Sequence, residues 1–593
     1  MKIKLPLVKT AKDFLPLKEY FFDKRYRLII GLVSLLAVDF LVLQIPIVLK
    51  WAIDDLTYKN ATPGILLKYG AYILLISLLI AIFRYTWRFC IIGFSRIVEE
   101  SLRNRLFSHL QILSMSFFQR TKTGYIMARS INDINAVRMA TGMGLVSLVD
   151  GLVMGIAAIC YMIYISPSLA ALSLIPAPFI ILLARIYTKK MAKGYDIVQK
   201  TFSDLTESVR ESFSGIRVVK SFVRERWTGD KVRKEGLNYV SENIKLARTL
   251  ALFFPVMTIF TNLGLGIVIF FGGRLTILGN ITMGDFVAFI GFLNNLTWPM
   301  MAMGWVTNLF QRGAASMRRI NKILEEVPEI QSKASSCNLE IVKGKISFNN
   351  ISYIYPDKTR PALKDINIVI YGGQTVSIVG MVGSGKSTLL HMIPRLIDPK
   401  TGIISIDGID ISNISLNSLR ENIGFITQEA VIFSDTVRNN IILGREDISE
   451  DQIVRAMRCA RFYDEVMELE MGMDTILGER GVTLSGGQKQ RLTIARVMAL
   501  DPPILILDDS LSMIDTRTEE EILNEIITLR KGKTNIIVSH RLSTISRADF
   551  VAVMKDGQII ETGDHKTLLS KGNEFSRLYK KQIMSHDLAE GVI

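Results

Sequence analysis

The chain has 593 residues, a formal net charge of +15 at pH 7 and a mean hydropathy of +0.30. This length exceeds one ordinary domain, and this hydropathy is high for a soluble protein, so membrane-spanning segments are expected. The basic residues form no single block, which argues against a nucleic-acid partner, and the four cysteines are scattered without a C-x-x-C pair, which argues against disulfides and zinc.

Residues 1–27 interleave lysines with leucine and aromatic residues, and they are predicted to form a helix on the inner membrane surface. Six apolar segments follow, each long enough to cross a bilayer. They lie at residues 28–50, 65–90, 140–164, 168–188, 248–272 and 284–309. The short outer connections carry few basic residues and the two long inner ones carry many, so both termini are predicted to be cytoplasmic, at the inner membrane.

The two inner connections keep a helical pattern, and each contains one interruption. Residues 117–130 and 208–222 are therefore predicted to be intracellular coupling regions, with short cross-helices that face the cytoplasmic domain. Two helix-hairpin tips without a special role are the alternative. Residues 328–342 are predicted to be a linker, and the strand–helix alternation of residues 343–593 predicts a soluble α/β domain.

A phosphate-binding loop is predicted between a β-branched strand, from Val376 to Val379, and a helix-like run that starts at Leu389. Glycine lets backbone N–H groups curl around phosphate oxygens, and the helix N-terminus adds positive potential. Lys386 is predicted to reach the β- and γ-phosphates, and Ser387 to bind Mg²⁺. The full set of loop residues is Gly380, Gly383, Ser384, Gly385, Lys386, Ser387 and Thr388.

Two further motifs accompany this loop. An apolar run ends at Asp508 and Asp509, which predicts a buried strand whose carboxyl edge holds Mg²⁺ through Asp508 and faces the γ-phosphate with Asp509. The run Leu-Ser-Gly-Gly-Gln, with Ser485, Gly487 and Gln488, opens a helix and is a second candidate anion site. Considered without the neighbouring motifs, the run Leu-Ser-Gly-Gly-Gln is explained equally well as an ordinary helix cap.

The order of these motifs resembles the nucleotide-binding domain of ATP-binding cassette (ABC) transporters, and the whole chain resembles an exporter half-transporter. The nearest likeness is the MdlA-type multidrug-resistance-like subunit of bacterial heterodimeric exporters. The resemblance implies an all-α six-helix transmembrane domain fused to a soluble α/β P-loop domain. It also implies ATP and Mg²⁺ as cofactors, a small lipophilic substrate, and contact with membrane lipid.

The resemblance also assigns individual residues. Tyr355 matches the aromatic residue that stacks on adenine, and Gln428 matches the Q-loop glutamine, which senses Mg²⁺ and contacts the membrane domain. Asp515 matches the D-loop, and His540 matches the switch histidine that touches the γ-phosphate. Because the family binds ATP between two chains, Ser485, Gly487 and Gln488 are expected to act on nucleotide held by a partner.

One position departs from the family pattern. The residue after the Mg²⁺-binding aspartate is normally glutamate, whereas this chain has Asp509, which is shorter by one methylene. Nucleotide held by Lys386 and Asp508 is therefore predicted to bind but to be hydrolysed slowly. This asymmetry resembles heterodimers in which the other chain carries the usual glutamate. The alternatives are a homodimeric lipid or drug flippase with slow ATPase, and a regulatory or channel-like subunit gated by ATP.

On the transport side, Asp39 and Asp150 lie within predicted spans and are candidates to face a cavity, because ionisable residues in a membrane seldom face lipid. The aromatic and methionine side chains of the sixth span are compatible with an adaptable apolar pocket. Helix packing and lipid contact explain that composition at least as well. The sequence names no substrate.

Overall fold

The computed structural model of this chain describes residues 12–58, 60–356, 358–478, 481, 484–539 and 541–589. The chain divides into two compact units. The first runs up to Ile112 and includes Thr121–Glu326, and the second comprises Leu113–Arg120 and the chain from Val327 onward. Each unit is described separately below.

The first unit is helical and contains six helices that are long and apolar enough to cross a membrane, as predicted. They are α1 (Arg25–Thr57), α2 (Pro63–Ile112), α3 (Thr123–Ile165), α4 (Pro167–Ser214), α5 (Glu225–Ile277) and α6 (Met283–Leu324). A bilayer requires only about 20 helical residues. Helices α2 to α5, which have 43 to 53 residues each, are therefore much longer than the spans themselves.

Local irregularities interrupt these helices. Single π-helical turns occur in α2, α3 and α5, at Arg88–Ile92, Arg129–Asp133, Ala140–Gly144 and Val268–Gly272. Helix α4 is broken after Ser173 and resumes at Ala177, within the predicted span 168–188. Pro176 explains why this break persists, because proline has no N–H to donate to the preceding turn.

Helices α1 and α6 are joined by a polar contact that we call the outer clamp, formed by Lys50, Asp54, Thr282, Gly284 and Asp285. Asp54 accepts hydrogen bonds from the Gly284 N–H at 2.8 Å and from the Thr282 hydroxyl at 3.0 Å. Lys50 pairs with Asp285 at 2.6 Å. Thr282 and Asp285 also form a capping box at the start of α6, so the clamp satisfies its first N–H groups.

Polar contacts also join the opposite ends of the helices in this unit. Asp133 accepts a hydrogen bond from Ser316 at 2.8 Å and pairs with Arg319, which ties α3 to α6. The described part of the N-terminal segment has a short helix, Lys18–Asp23, and Phe21 packs edge-on against Phe94 of α2. The predicted position of this segment on the membrane surface stays a prediction.

A short helix, Met115–Arg120, overlaps the start of the first predicted coupling region, and the first segment of α3, Thr123–Ala128, follows it. Another short helix, Ile216–Ser221, lies in the second region. Within the second unit, the residues just before the first predicted coupling region contact the predicted linker. Ser114 Oγ accepts a hydrogen bond from the Ile330 N–H at 3.0 Å, and the Ser116 hydroxyl donates to Glu329 at 2.6 Å. A coupling role for either region stays a prediction.

The second unit contains two sheets. The strands are β1 (Ile346–Tyr353), β2 (Leu363–Ile370), β3 (Thr375–Val379), β4 (Thr401–Ile406), β5 (Ile409–Asp410), β6 (Ile423–Ile426), β7 (Ile504–Asp508), β8 (Thr534–Val538), β9 (Phe550–Lys555) and β10 (Gln558–Gly563). The smaller sheet, in the order β2-β1-β4-β5, is antiparallel. The larger, in the order β10-β9-β3-β8-β7-β6, is parallel except for β10.

Three helices of this unit position the candidate site: α7 (Lys386–Met392), α8 (Gly486–Leu500) and α9 (Thr516–Leu529). The other described α-helices after Val327 are Leu416–Glu421, Val437–Ile442, Glu450–Cys459, Tyr463–Met467, Leu542–Ser546, His565–Ser570 and Glu574–Ala589. Strands β3, β7 and β8 are buried along their whole length and consist mainly of Ile, Leu and Val. Such strands suit the centre of a parallel sheet that is covered on both faces.

Candidate functional site

The site forms where the parallel strands β3, β6, β7 and β8 end. Pairing brings Ile378 opposite Val538, Asp508 opposite Val538, and Ile426 opposite Leu507, so these carboxyl ends lie along one edge of the sheet. Ligands of open α/β sheets bind outside this edge. The predicted phosphate loop, the two aspartates and the segment after β6 are thereby brought to the same edge.

The loop between β3 and α7 requires glycine at two positions. Gly385 has φ +102°, a left-handed conformation, and a Cβ there would lie 2.6 Å from the Ala362 carbonyl oxygen. A Cβ on Gly380 would lie 2.2 Å from the Met554 carbonyl oxygen. The backbone therefore passes closer to its neighbours than any side chain permits, and it curls tightly ahead of the α7 N-terminus.

The Lys386 side chain folds back into this loop. It is only 8% exposed, and its ammonium group donates to the carbonyl oxygens of Gly380 at 2.7 Å and Met381 at 2.9 Å. Burial lowers the pKa of Lys386, while the neighbouring carboxyl groups of Asp509 and Asp508 act in the opposite direction. A positive charge held inside a glycine loop suits a phosphate group.

Ser384 provides an independent test of whether the loop fits a phosphate. Its hydroxyl oxygen is buried and has no hydrogen-bond partner among the described residues. Buried hydroxyl groups normally have a partner, and an exception needs an explanation. A phosphate oxygen bound in the loop would be the missing partner of the Ser384 hydroxyl group. The residues present therefore fit a nucleoside triphosphate.

Ser387 and Asp508 meet at the base of the loop. The Ser387 hydroxyl donates to Asp508 Oδ1 at 3.1 Å, and Asp508 is 4% exposed at the end of β7. Burial raises the pKa of Asp508, and the Ser387 hydrogen bond opposes this shift. A hydroxyl and a carboxylate oxygen are ligands that Mg²⁺ prefers, and a dication would stabilise the buried carboxylate. The pair therefore fits the predicted metal site.

Asp509 follows Asp508 in a left-handed conformation, with φ +47°, and its N–H donates to the Val538 carbonyl oxygen at 3.1 Å. It lines a cavity of about 160 Å³ together with Glu519, Arg541 and the hydroxyl-bearing Ser510, Ser512 and Ser539. The apolar side chains of Leu507, Leu511, Ile537 and Val538 complete the lining, so the short acid borders a space with both polar and apolar walls.

Tyr355 lies beside the phosphate loop rather than apart from it. Its hydroxyl group is 3.1 Å from the Thr388 hydroxyl, and its ring packs edge-on against Tyr353 with centroids 5.0 Å apart. The structure thus places this predicted adenine-stacking residue next to α7. The stacking itself stays a prediction.

Gln428, two residues after β6, lines a separate cavity of about 600 Å³ with Gly486, Gln490 and Met513. Within the described part of the chain, no hydrogen bond joins Gln428 to Ser387 or Asp508. Its predicted roles as a Mg²⁺ ligand and a sensor therefore stay predictions.

The Leu-Ser-Gly-Gly-Gln segment begins α8 with a full capping box. The Ser485 N–H donates to Gln488 Oε1 at 2.8 Å, and the Gln488 N–H donates to Ser485 Oγ at 3.3 Å. A Cβ on Gly487 would lie 3.1 Å from the Met513 carbonyl oxygen, so this turn packs against the segment that leads to Asp515. Asp515 caps α9 by accepting from the Thr518 N–H at 2.9 Å.

The structure therefore separates the predicted site residues into two groups. Lys386, Ser387, Thr388, Asp508 and Tyr355 form one connected cluster with the glycine loop. Ser485, Gly487, Gln488 and Asp515 form another, and among the described residues no hydrogen bond joins them to the first. His540 lies outside the described residues.

Sequence reasoning missed two residues beside the site. Glu519 is fully buried in α9 and pairs with Arg541, and Thr544 donates to it at 3.3 Å. The signal was present in the sequence, because Glu519 shares a helix face with Ile522, Leu523 and Ile526 at spacings of three, four and seven residues. Burial raises the pKa of Glu519 to about 7, and Arg541 opposes this shift.

Comparison with known families gives two matches. Residues 28–300 match the ABC transporter transmembrane region, and residues 363–512 match the ABC transporter domain.

Curated relatives match nearly the whole chain. The probable multidrug resistance ABC transporter ATP-binding/permease protein YheI of Bacillus subtilis is 35% identical over 95% of this chain and 96% of its own length. The multidrug resistance-like ATP-binding protein MdlA of Escherichia coli is 34% identical over 95% of each. The ATP-dependent lipid A-core flippase of Syntrophus aciditrophicus is 37% identical over 84% of this chain and 82% of its own length.

One solved structure, a bacterial Atm1-family ABC exporter with ATP bound, superposes with a TM-score of 0.77. It is 25% identical and covers 94% of this chain and 98% of its own.

Proposed function

Since this chain belongs to the ABC transporter family, we propose that it is the half of a heterodimeric exporter whose own nucleotide site turns over slowly. The ABC transporter domain binds ATP, and ATP hydrolysis coupled to transport is the activity of exporters in this family. The observation that carries the proposal is Asp509, an aspartate directly after the buried Asp508 at the end of β7.

The residues around the loop have distinct roles in this proposal. The glycine loop, Lys386 and Ser384 bind the triphosphate, and Tyr355 supports the adenine. Ser387 and Asp508 would hold Mg²⁺, with Gln428 as a further ligand, and the ion would neutralise charge on the phosphates. By the family pattern, we infer that His540 would contact the γ-phosphate.

Asp509 limits the chemical step. Its carboxylate reaches about 1.5 Å less far than that of glutamate. A general base must come within about 2.6–3.2 Å of the attacking water or act through a second water, and an error of about 1 Å costs on the order of 10²-fold in rate. ATP binding stays intact because Lys386 and Asp508 are present.

The partner follows from the same residues. Ser485, Gly487 and Gln488 retain the full motif, with its capping box formed, so this chain can complete a competent site on a second half-transporter. We infer that the partner is a different chain that carries glutamate after its Mg²⁺-binding aspartate. With such a partner, one site of the pair is fast and the other slow.

The substrate class is inferred from the relatives and from composition. Two relatives are named for multidrug resistance and one as a lipid A-core flippase, which favours amphipathic or lipophilic cargo. The basic inner connections favour a cytoplasmic membrane location with both termini inside the cell. Alternating access then moves the cargo outward, with ATP binding and hydrolysis changing the preferred state.

The proposal is tested on the purified pair, with the partner's catalytic glutamate replaced by glutamine so that only this chain's site contributes. Asp509→Glu is expected to raise phosphate release at least about tenfold, and Asp509→Asn is the matched control that keeps the short side chain. Unchanged turnover in Asp509→Glu, or rapid turnover by this chain alone, overturns the proposal.

ATP-driven uphill flux of a lipophilic dye into inside-out vesicles separates export from ATP-gated leakage.

A further inference from the structure

A side chain outside the predicted motifs holds the Leu-Ser-Gly-Gly-Gln segment at the start of α8. Gln488 Nε2 donates to Glu465 Oε2 at 3.0 Å, and Glu465 lies in the short helix Tyr463–Met467, 23 residues earlier in the chain. The other polar atom of the amide, Gln488 Oε1, accepts from the Ser485 N–H at 2.8 Å. Both polar atoms of this amide are therefore engaged within the chain, which fixes the orientation of the Gln488 side chain.

Arg491 in turn fixes Glu465. Its Nη1 atom lies 2.6 Å from Glu465 Oε1 and its Nη2 atom 2.9 Å from Glu465 Oε2, so the guanidinium group contacts both carboxylate oxygens. The Nη1 atom also donates to the Arg461 carbonyl oxygen at 2.8 Å. A bidentate pair of this kind is geometrically specific. It also neutralises the carboxylate, which would otherwise repel an anion near the positive N-terminal end of α8.

A different face of the same helical turn contacts the segment that leads to Asp515. Gln490 Oε1 accepts from the Met513 N–H at 2.9 Å. A Cβ on Gly486 would lie 3.0 Å from the Met513 sulfur atom, so this face is packed closely. The first turn of α8 is thus supported on two faces, one by the Met513 segment and the other by Glu465.

These contacts leave one group of the segment available as a donor, the Ser485 hydroxyl. Its oxygen accepts from the Gln488 N–H at 3.3 Å, and no described residue accepts its proton. We propose that Glu465 is a positioning residue, which through Gln488 holds the Ser485 hydroxyl group in place for the triphosphate that a partner binds. The inference rests on the proposed function, in which this chain completes a competent site on a second half-transporter. Gln488 then acts by holding Ser485.

The test is a double-mutant cycle on the purified pair, with ATP turnover as the measurement. Glu465→Ala and Gln488→Ala are each expected to lower turnover about tenfold, because small displacements of positioned groups are costly in rate. The double variant is expected to lie within about twofold of the slower single variant, since two residues that act through one contact do not lose turnover independently. Glu468→Ala, a change of an exposed acid three residues further on, is the matched control and should leave turnover unchanged.

Two further measurements separate positioning from a folding defect. The affinity of this chain alone for a fluorescent ATP analogue depends on the Lys386 loop, and it is expected to change less than about twofold in every variant. Glu465→Gln keeps an oxygen that accepts from Gln488 but loses the charge, so it is expected to turn over at least about threefold faster than Glu465→Ala. If Glu465→Ala loses that affinity, Glu465→Gln takes its place in the cycle.

Three results overturn the inference. They are unchanged turnover in Glu465→Ala, losses that multiply in the double variant, and a Glu465→Gln variant as slow as Glu465→Ala. The last result would mean that only the ion pair with Arg491 matters. Unchanged turnover in Asp509→Glu contradicts the proposed slow site but leaves the outcome of the cycle as it is, so the two failures are distinguishable.

Discussion

Arg541 forms an ion pair with the buried Glu519, which connects the segment after β8 to α9, 22 residues earlier in the chain. The same guanidinium group also donates to the carbonyl oxygens of Ser512 at 3.3 Å and Ile514 at 3.0 Å. These two residues lie three positions and one position before Asp515. The position of the Asp515 segment therefore depends on a side chain next to the predicted switch histidine.

The first prediction concerns Arg541→Lys. Lysine keeps the charge but cannot reproduce the planar fork that contacts Glu519 and two carbonyl groups together. We expect ATP turnover of the assembled pair to fall about tenfold, with ATP affinity changed less than about twofold. The matched control is Arg547→Lys, because Arg547 donates to the Glu520 carbonyl oxygen of the same helix. Equal losses in both variants would contradict a specific role for Arg541.

The second prediction concerns pH. Burial raises the pKa of Glu519 to about 7 in the folded state, from an ordinary value of 4.5. A carboxyl group with a raised folded pKa binds protons more tightly when folded, so its contribution to stability falls as pH rises from about 4.5 to about 7. Above pH 7 this contribution is constant.

Glu519→Gln removes this titration, so the variant is expected to lose the part of the pH dependence that Glu519 causes. The measurement is hydrogen–deuterium exchange of peptides from α9 and β8 in the full chain, corrected for intrinsic exchange rates, at pH 5, 6 and 7. Parallel pH profiles for the variant and the unaltered chain would show that Glu519 does not titrate in this range.

The third prediction uses the unpartnered hydroxyl group of Ser384. Ser384→Ala breaks no hydrogen bond described within the chain, so stability without nucleotide should change by less than about 0.5 kcal/mol. ATP affinity should fall several-fold, because a hydrogen bond to a charged group contributes about 1.5 kcal/mol or more.

Ser377→Ala is the matched control for this change. Ser377 is also buried, and its hydroxyl group likewise has no partner among the described residues, but it lies within β3 rather than in the loop. Fluorescent-nucleotide titration of the assembled pair compares the two variants. A similar affinity for both would argue against phosphate contact by Ser384.

The fourth prediction concerns the outer clamp. A Cβ on Gly284 would lie 2.3 Å from the Lys50 carbonyl oxygen and 2.6 Å from the Asp54 carboxyl group. Gly284→Ala should therefore separate the ends of α1 and α6 and destabilise the first unit by about 1–3 kcal/mol. Gly70→Ala on α2 is the control, because a Cβ there meets no atom within 4 Å. Thermal unfolding in detergent, followed by tryptophan fluorescence, is expected to show a lower midpoint for Gly284→Ala alone.

The amino-acid sequence alone was sufficient to predict the architecture of the chain and the position of the phosphate loop. Six apolar helices, an α/β domain and the strand–loop–helix around Lys386 were all predicted, because hydrophobic periodicity and glycine spacing are local properties. The position of Asp508 at the carboxyl edge of its strand was predicted as well, and the observed contact with Ser387 is consistent with it, since the carboxyl ends of parallel strands meet at one edge.

Contacts between distant residues were decided only by the folded chain. Asp54 and Gly284 are 230 residues apart, and nothing near either position indicates the other. The position of Glu519 on the apolar face of α9 can be read from the sequence, but its partner, Arg541, comes from beyond β8 and is decided only by the fold. Which residue a side chain pairs with depends on which surfaces meet in the folded chain. A sequence pattern gives only the tendency of each segment to form a helix or a strand with one apolar face.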